Sequence, residues 1–414
     1  MTGIILTPHP RGHFPMKIVL LEHLTSFAGP VGGGRADASQ RQLRAEGAAM
    51  RDALAEDLIR LGDVQLVLLH RPEIAITAGL RRLLRCAPPG SLDLVPVGGR
   101  REEVFRRALR RADAGLIIAP EEEDLLPRLS RIVEEEGRIL LGPSPGAARL
   151  AGDKLASARL LASASLPTPA TEAIPFATAA RRLSTWPLPV VLKPRDGCGG
   201  QGVRLLRRRG GIARALAAVR RATSRPDLLV QDYVPGEDAS VSLLVSAPAS
   251  SGPGAGARSA PAVLPLGLSR QEIRLGAACA YRGGAAPFRH PASRAASELA
   301  VAAVRALAAA AEGVRGYLGV DLVLARDGPS LIEINPRPTT SYVGLRRLFR
   351  ENLAGLLRDA ALGRSLPARL EARGLCRFRG DGTVRFSARD EGDAQRGGKP
   401  GWESTSAGTS AASI

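Results

Sequence analysis

Short apolar runs alternate with longer amphipathic segments over the first third of the chain. Two of the longer segments, residues 37–62 and 121–137, space their apolar residues as a helix does and begin with acidic residues. The short runs have the length of buried strands, and they cover residues 16–24, 64–70, 114–120 and 138–144. Strands that alternate with helices predict a parallel sheet. We therefore expect an α/β domain over residues 16–150, with ligand-binding loops at the carboxyl ends of its strands.

From residue 151 the pattern changes to a mixture of helices, hairpins and strands. Residues 188–208 are typical of a strand, a glycine-rich loop and a second strand. The other predicted elements are helices over 151–164, 211–225 and 293–313, an extended segment over 166–176, and strands over 228–234 and 239–247. We expect this second unit to end near residue 367.

Three segments are expected to lie outside the packed units. Residues 1–15 are predicted to be an N-terminal extension. The tract at 247–262 consists almost entirely of small residues, which predicts a flexible inserted loop. Residues 368–414 contain too little apolar material to form a core, so we expect a disordered tail.

The stretch LIEINPRPTTS, residues 331–341, places polar side chains at every second position of a predicted strand. Because successive strand side chains alternate between faces, Glu333, Asn335 and Arg337 are expected to share one face. The opposite face would receive the residues between them, Ile332, Ile334 and Pro336.

The segment VDLVLARDG precedes this strand, and the two are predicted to form a hairpin. If the turn centres near Asp327, Asp321 lies opposite Glu333. Two carboxylates and an amide on one face are hard oxygen ligands that suit Mg²⁺ held together with substrate phosphates. Such close acids would repel each other without a cation between them. The alternative is a solvated strand face with incidental acids, which the apolar neighbours argue against.

A glycine-rich loop follows a strand that ends in Lys193, one of only four lysines among the 58 basic residues. The glycines of DGCGGQG let backbone approach phosphates closely, and they are Gly197, Gly199, Gly200 and Gly202. A Rossmann or Walker loop opens a helix, whereas this loop leads into a strand. In protein kinases the lysine follows the glycines, whereas here it precedes them. An ordinary glycine-rich hairpin is the alternative.

The composition argues against several classes of protein. No run of about 18 apolar residues occurs, so we expect no membrane span. The four cysteines form no CxxC pair, which argues against a zinc site or a disulfide framework and fits a reduced cytoplasm. The net charge of +18 would suit nucleic acid. However, aromatic residues make up only 3% of the chain and the arginines are spread along it, so we expect no nucleic-acid partner.

The order of these motifs resembles the ATP-grasp superfamily of carboxylate–amine ligases: a strand lysine, a glycine flap, a strand with PGED, and then D…EINPR. The resemblance covers about residues 150–365. It implies an ATP-grasp fold, in which two α+β subdomains grip ATP, preceded by a Rossmann-like pre-ATP-grasp domain. It also implies an ATP-dependent, ADP-producing ligase that uses Mg²⁺ or Mn²⁺.

The resemblance assigns roles to individual residues. Lys154 and Lys193 would bind the nucleotide phosphates beneath the flap. The adenine and ribose contacts would be Gln231, Tyr233, Val234 and Asp238 or Glu237. The metal ligands would be Asp321, Glu333 and Asn335, and Arg337 would lie near the acyl phosphate. Many members carry glutamate at the position of Gln231.

Four segments resemble the family of tyramine–L-glutamate ligase and its bacterial relatives, which serves the making of methanofuran-type cofactors. They are EHLTS (22–26), LSRQEI (268–273), YRGG (281–284) and INPRPTTSYVGLR (334–346). This resemblance implies glutamate as the activated acid and a tyramine- or tyrosine-like amine. Candidates to bind the amino-acid carboxylate are Arg270, Arg274, Thr339, Thr340 and Ser341. For the arginines, solvated surface charge is the alternative.

Two other functions remain open at this point. One is a different ATP-grasp ligase, of the dipeptide or D-alanine–D-alanine type. The other is a binder without catalysis, either an ATP-binding sensor or an RNA-associated protein. The intact metal-type acids argue against a degenerate sensor. Members of the superfamily often form dimers, which leaves a homodimer open, and we expect a cytoplasmic location.

Overall fold

The computed structural model describes residues 16–28, 35–247, 260–276 and 279–388. The predicted extension, residues 1–15, lies outside these ranges, as do most of the predicted inserted loop and the chain from residue 389 onward. Within the described ranges, no helix is both long and apolar enough to cross a membrane.

A parallel sheet forms the first part of the fold, as the alternation of strands and helices predicts. Its strands are β1 (Met16–Glu22), β2 (Val64–His70), β3 (Leu92–Pro96), β4 (Ala114–Ile118) and β5 (Ile139–Leu140). They lie in the order β3-β2-β1-β4-β5, and every pairing is parallel. Because the order reverses beside β1, the carboxyl ends of β1 and β4 open a crevice of the kind that binds ligands.

The helices of this part are α1 (His23–Ser26), α2 (Arg35–Ile59), α3 (Ala78–Cys86), α4 (Arg101–Arg110) and α5 (Leu125–Glu135). The sequence pattern did not reveal β3, α3 or α4. β3 contains no fully buried residue, so it lacks an apolar run. α3 and α4 each bury only two side chains among many arginines, namely Leu80 and Leu83 in α3 and Phe105 and Leu109 in α4.

The helix predicted over residues 151–164 is divided in two by Asp153. α6 (Pro145–Gly152) ends there, and α7 (Lys154–Ser163) begins. The backbone of Asp153 is extended, and its carboxylate accepts hydrogen bonds from two backbone N–H groups of the next turn at 3.0 and 3.1 Å. An aspartate in this position satisfies amides that a helix start leaves unpaired. The break therefore places Lys154 at the first position of a new helix.

A four-stranded antiparallel sheet follows. Its strands are β6 (Thr171–Pro175), β7 (Val190–Lys193), β8 (Arg204–Leu206) and β9 (Asp227–Asp232), in the order β6-β9-β7-β8. Helices α8 (Phe176–Thr185) and α9 (Ile212–Arg220) pack on it through a small core that includes Ile174, Leu183 and Val219. The glycine-rich loop connects β7 to β8, as the sequence predicts.

A seven-stranded antiparallel sheet forms the largest part. Its strands are β10 (Glu237–Val245), β11 (Val263–Leu275), β12 (Cys279–Ala286), β13 (Gly316–Ala325), β14 (Gly328–Asn335), β15 (Gly374–Phe378) and β16 (Val384–Ala388). They lie in the order β14-β13-β10-β11-β12-β15-β16. The helices of this part are α10 (Ser293–Ala310), α11 (Tyr342–Leu348) and α12 (Leu353–Ala361).

Helix α11 joins the large sheet to the first part of the fold. Asp57 of α2 accepts hydrogen bonds from Tyr342 at 2.7 Å and from Nε of Arg346 at 2.8 Å. Apolar side chains surround these buried polar groups and form one core with α2 and α12. The parallel sheet is therefore fixed against the large sheet.

The hairpin of β13 and β14 has the predicted register, since Asp321 pairs with Glu333. A bulge follows this pair, because Leu322 pairs with Leu331 and Ile332 is left between the two pairings. An extra residue in one strand breaks the alternation of faces. The prediction that Ile332 lies on the face opposite Glu333 is therefore wrong, and both side chains line the same cavity.

The prediction of disorder after residue 367 is wrong for the strands β15 and β16. β15 pairs with β12 at the edge of the large sheet. Phe378 is buried, and its ring occupies space that a side chain at Gly344 or Gly284 would fill. This hairpin needs few apolar residues of its own because β12 supplies its hydrogen bonds and the glycines supply room for the ring. The amino-acid composition of this segment does not reveal these contacts.

We expect Phe378→Ala to destabilise the protein by about 3 kcal/mol, because it leaves a cavity where the ring is buried. The matched control is Phe386→Ala on the same hairpin, where the ring is 43% exposed and the cost should stay below about 1 kcal/mol. Urea unfolding of both variants measures the difference. Equal losses would contradict the buried position of β15.

Candidate active site

A cavity of about 310 Å³ lies where the three sheets meet. Its walls come from β7 and β9 of the four-stranded sheet, from β10 to β14 of the large sheet, and from β1, β4 and α2 of the parallel-sheet part. Most of the sequence-predicted site residues line it, and these are Lys154, Lys193, Gly197, Gly199, Gly200, Gln231, Tyr233, Val234, Asp238, Asp321, Glu333, Asn335, Arg337, Thr339, Thr340 and Ser341.

Lys193 ends β7 inside this cavity and is 4% exposed. Its ammonium donates a hydrogen bond to Oε1 of Gln231 at 2.9 Å, and Nε2 of Gln231 donates to Thr171 at 2.8 Å. The partner is neutral, so burial dominates and lowers the pKa of Lys193 to about 8. The cavity therefore holds an ammonium for which the phosphates of a nucleotide would be suitable counter-charges.

Lys154 connects the glycine-rich loop to β14. Its Nζ lies 2.9 Å from Oε2 of Glu333 and donates to the carbonyl of Gly197 at 3.0 Å. Burial disfavours the charged ammonium, but Glu333 and Glu121 outweigh that cost and raise the pKa of Lys154. Lys154 thus lies between the glycine-rich loop and Glu333 of β14.

All four glycines of the loop have φ between 62° and 107°, which side chains rarely adopt. Gly199 and Gly200 also lie against Leu43 and Cys279, so that a side chain at either would collide. Gly202 is not a wall of the cavity, since the space a side chain would take there is filled by Ala222 and Pro194. Its role is to make the turn into β8.

The three predicted metal ligands converge. Asp321 accepts a hydrogen bond from Nδ2 of Asn335 at 3.0 Å and from Nε2 of Gln271 at 2.9 Å. Burial, and then repulsion from Glu333, raises the pKa of Asp321. Burial would raise the pKa of Glu333 as well, but Lys154 and Lys193 outweigh it and hold that pKa low. The ammonium groups of Lys154 and Lys193 therefore compensate the charge of Glu333. The charge of Asp321 is compensated less well.

This donor set fits a magnesium ion. Among the described residues no group of three or more His, Cys, Asp and Glu side chains could hold a metal by itself. Two carboxylates and an amide oxygen are instead a partial set of hard ligands, which leaves positions for phosphate oxygens and water. The raised pKa of Asp321 marks a carboxylate that a cation would stabilise.

Arg337 is held by Glu121, a residue that the sequence analysis did not identify. Nε and a terminal nitrogen of Arg337 lie 2.9 and 3.2 Å from the two oxygens of Glu121, a bidentate pair. Burial disfavours the charge on Arg337, but Glu121 outweighs it and raises its pKa. Glu121 follows β4 at the carboxyl edge of the parallel sheet. This position could have identified Glu121 from the sequence, because ligand-binding residues gather at such edges.

Besides Gly202, three predicted residues lie away from the cavity. Arg270 and Arg274 are exposed on the outer face of β11, while Gln271, Ile273 and Leu275 face inward. Glu237 is 46% exposed and lies 3.5 Å from Arg270, so Asp238 is the acid that lines the cavity. The structure therefore does not bring Arg270, Arg274 or Glu237 together with the other candidate residues. Which face of β11 turns inward depends on a register that the sequence did not reveal.

The three hydroxyl residues after Arg337 differ in their surroundings. Ser341 is buried in a network with Thr339 at 2.8 Å and Ser242 at 3.0 Å. Thr340 instead lines the cavity with Glu46 of α2, whose pKa it helps to lower. Further lining residues that the sequence analysis did not assign to the site include Glu22, Leu24, Leu43, Glu46, Met50, Gln271, Tyr281 and Phe378.

Comparison with known proteins agrees with this geometry. An ATP-grasp domain family matches residues 151–341, and a pre-ATP-grasp domain family matches residues 82–148. A tyramine–L-glutamate ligase of Methanocaldococcus fervens is 30% identical over 261 residues, which are 63% of this chain and 70% of that relative. The chain belongs to the ATP-grasp family.

Other relatives match shorter parts. The tyramine–L-glutamate ligase of Methanocaldococcus jannaschii is 30% identical over 234 residues, 56% of this chain, and the match spans only 58% of that relative. A D-alanine–D-alanine ligase of Gloeobacter violaceus is 31% identical over 121 residues, 28% of this chain and 39% of the relative. A solved ATP-grasp superfamily protein of Archaeoglobus fulgidus has the same fold, with a TM-score of 0.59 and 23% identity over 91% of this chain and 100% of its own.

We expect Lys193→Met to stabilise the nucleotide-free protein by about 2 kcal/mol near pH 7, since the pKa of this lysine falls from 10.5 to about 8 on folding. The native state then binds fewer protons than the unfolded chain between these values. The cost of the buried charge is therefore full below pH 8 and disappears as the pH rises toward 10.5. The gain in melting temperature should accordingly shrink between pH 7 and pH 9.5.

Differential scanning calorimetry at the two pH values measures this, and Lys17→Met, outside the cavity, serves as the control. The same Lys193 variant should lose nucleotide binding in calorimetric titration. A variant that melts below the wild type at pH 7 would contradict the assignment of Lys193 as a buried charge that its surroundings only partly compensate.

Proposed function

We propose that this protein is an ATP-dependent ligase that joins the carboxylate of L-glutamate to a primary amine of the tyramine or tyrosine class. The observation that carries the proposal is the convergence of Lys154, Lys193, Asp321, Glu333 and Arg337 in one buried cavity. Two cations, two acids and a guanidinium around a closed space suit the transfer of a phosphoryl group to an acid. The names of the relatives support the choice of substrates.

In this proposal the nucleotide lies between the four-stranded and the large sheet. Tyr233 and Val234 would border the adenine, and Asp238 would accept hydrogen bonds from the ribose hydroxyls. Lys154 and Lys193 would donate to phosphate oxygens while the glycine-rich loop covers them. Asp321, Glu333 and Asn335 would hold Mg²⁺, which neutralises charge on the phosphates when bound.

The reaction then proceeds in two displacements. A carboxylate oxygen of glutamate attacks the γ-phosphorus of ATP, and ADP leaves with the electrons of the broken bond. The amine attacks the carbonyl carbon of the resulting acyl phosphate, loses a proton, and expels inorganic phosphate, so that an amide remains. Arg337, fixed by Glu121, would stabilise the negative charge that develops on the oxygen atoms.

Cys198 in the glycine-rich loop does not support a covalent enzyme intermediate. Burial raises the pKa of its thiol to about 12, so that it stays protonated and weakly nucleophilic. Direct attack by the substrate carboxylate needs no enzyme nucleophile, which agrees with this environment.

A second candidate is a dipeptide-type ligase, which the partial likeness to a D-alanine–D-alanine ligase favours. A panel of amino acids in place of tyramine separates the two. Participation in a methanofuran-type cofactor pathway follows only if tyramine is the preferred amine.

The test is ADP release by the purified protein with Mg-ATP, L-glutamate and tyramine. We expect ADP only when both substrates are present, together with a product whose mass is their sum less water. Lys193→Ala and Glu333→Ala should each reduce turnover at least a thousandfold, roughly 4 kcal/mol of transition-state stabilisation. Unchanged melting of the Glu333 variant would show that the fold survives, and near-normal turnover in either variant would contradict the site.

Glu121→Gln should act through Arg337 rather than on the nucleotide. The amide keeps the shape of Glu121 but removes the charge that fixes the guanidinium, so kcat should fall about tenfold or more while KM for ATP changes less than about threefold. Glu135→Gln, an exposed acid in the same part of the fold, is the control. A fall in ATP affinity that matches the fall in kcat would instead indicate a structural role for Glu121.

A further inference from the structure

One part of the cavity lies between α2 and the β15–β16 hairpin. Its walls are Leu43, Glu46 and Met50 of α2, Tyr281 of β12 and Phe378 of β15; we call it the α2 pocket. We propose that the α2 pocket binds the acceptor amine, with the Glu46 carboxylate receiving its ammonium group. This inference rests on the ligase function proposed above.

The carboxylate of Glu46 is buried, and a hydrogen bond fixes its orientation. The residue is 7% exposed, and Oε1 accepts a hydrogen bond from Nε2 of Gln42 at 3.0 Å. The same Nε2 donates to the carbonyl of Tyr281 at 3.0 Å, which ties α2 to β12. Thr340 lines the same part of the cavity. Because Gln42 is neutral, the carboxylate can still take a charged donor, and buried acids are stabilised by such a partner.

The rest of the pocket suits an apolar body. Leu43, Glu46 and Met50 recur at the three- and four-residue spacing that places side chains on one face of a helix. Leu43 and Met50 therefore flank the acid on the cavity side, and the Phe378 ring faces them from the hairpin. A primary amine with an aromatic or aliphatic body would place its ammonium on Glu46 and its body against these side chains. A dicarboxylic amino acid would instead face repulsion from Glu46.

The pocket is also close to the place where the acid is activated. Glu46, Thr340 and Arg337 line the same cavity, and the charge of Arg337 lowers the pKa of Glu46. An amine held at Glu46 would thus be near the guanidinium expected at the acyl phosphate. This proximity assigns the pocket to the acceptor of the amide bond.

The β15–β16 hairpin, which lies late in the chain, forms one wall of the α2 pocket. The ATP-grasp domain match ends at residue 341, whereas Phe378 and Gly380 close the pocket from beyond it. A side chain at Gly380 would meet Cγ of Glu46 at 2.8 Å. The hairpin therefore packs directly on the proposed anchor and sets the depth of the pocket.

The first test compares two nucleophiles in the wild type and in Glu46→Gln. Hydroxylamine is small and mostly uncharged at pH 8, so it captures an acyl phosphate as a hydroxamate without needing an anionic anchor. We expect kcat/KM for tyramine to fall at least about tenfold more than the rate of hydroxamate formation from glutamate and ATP. Glu298→Gln, an exposed acid on α10, should leave both rates unchanged. Equal falls in both rates for Glu46→Gln would overturn the proposal, because they would assign Glu46 to the donor or to the fold.

A second measurement does not depend on turnover. Calorimetric titration with tyramine and with 4-ethylphenol, its analogue without the amine, reports how much the ammonium contributes to binding. We expect the wild type to favour tyramine at least about tenfold and Glu46→Gln to lose most of that preference. The same preference in both proteins would refute the pocket assignment. A wild type that releases no ADP with glutamate and tyramine together would refute the ligase proposal alone, since this titration still decides the role of Glu46.

Discussion

The ion pair between Lys154 and Glu333 is the interaction on which the site depends. It joins the first residue of α7 to β14, and the same ammonium donates a hydrogen bond to the carbonyl of Gly197 in the glycine-rich loop. Three separate segments thus meet at one buried charge. The helix break at Asp153 is what brings Lys154 there, because an unbroken helix would have no free start at this position. The preference of Asp153 for the start of a helix therefore determines where the ammonium of Lys154 lies.

A second pair extends this arrangement to the parallel sheet. Glu121 lies after β4 and Arg337 lies after β14, so that their bidentate contact connects two sheets across the cavity. The buried bonds of Asp57 to Tyr342 and Arg346 connect the same parts on another side. Rigid attachment of this kind lets residues from distant parts of the chain form one site with defined distances, which catalysis requires.

The sequence was sufficient where local rules determine the outcome. The turn of the β13–β14 hairpin determines the pairing of Asp321 with Glu333, and the strand lysine with its loop follows from order along the chain. The sequence was insufficient where the outcome depends on a distant partner. The contacts of Glu121 and Glu46 are formed only in space, and Arg270 lies away from the cavity because the register of β11 is set by its neighbours. The bulge at Ile332 also depends on a neighbouring strand, and it turns the Ile332 side chain toward the cavity.

The neutral amide of Gln231 beside Lys193 links the stability of the fold to nucleotide supply. Without a nucleotide, the cavity keeps an ammonium whose charge is only partly balanced. The phosphates of ATP or ADP would complete that balance, and a ligand that binds only the native state shifts the unfolding equilibrium by mass action. Nucleotide-loaded molecules would therefore resist proteases longer than empty ones. The lifetime of the protein would then depend on the total concentration of ATP and ADP through its own folding equilibrium.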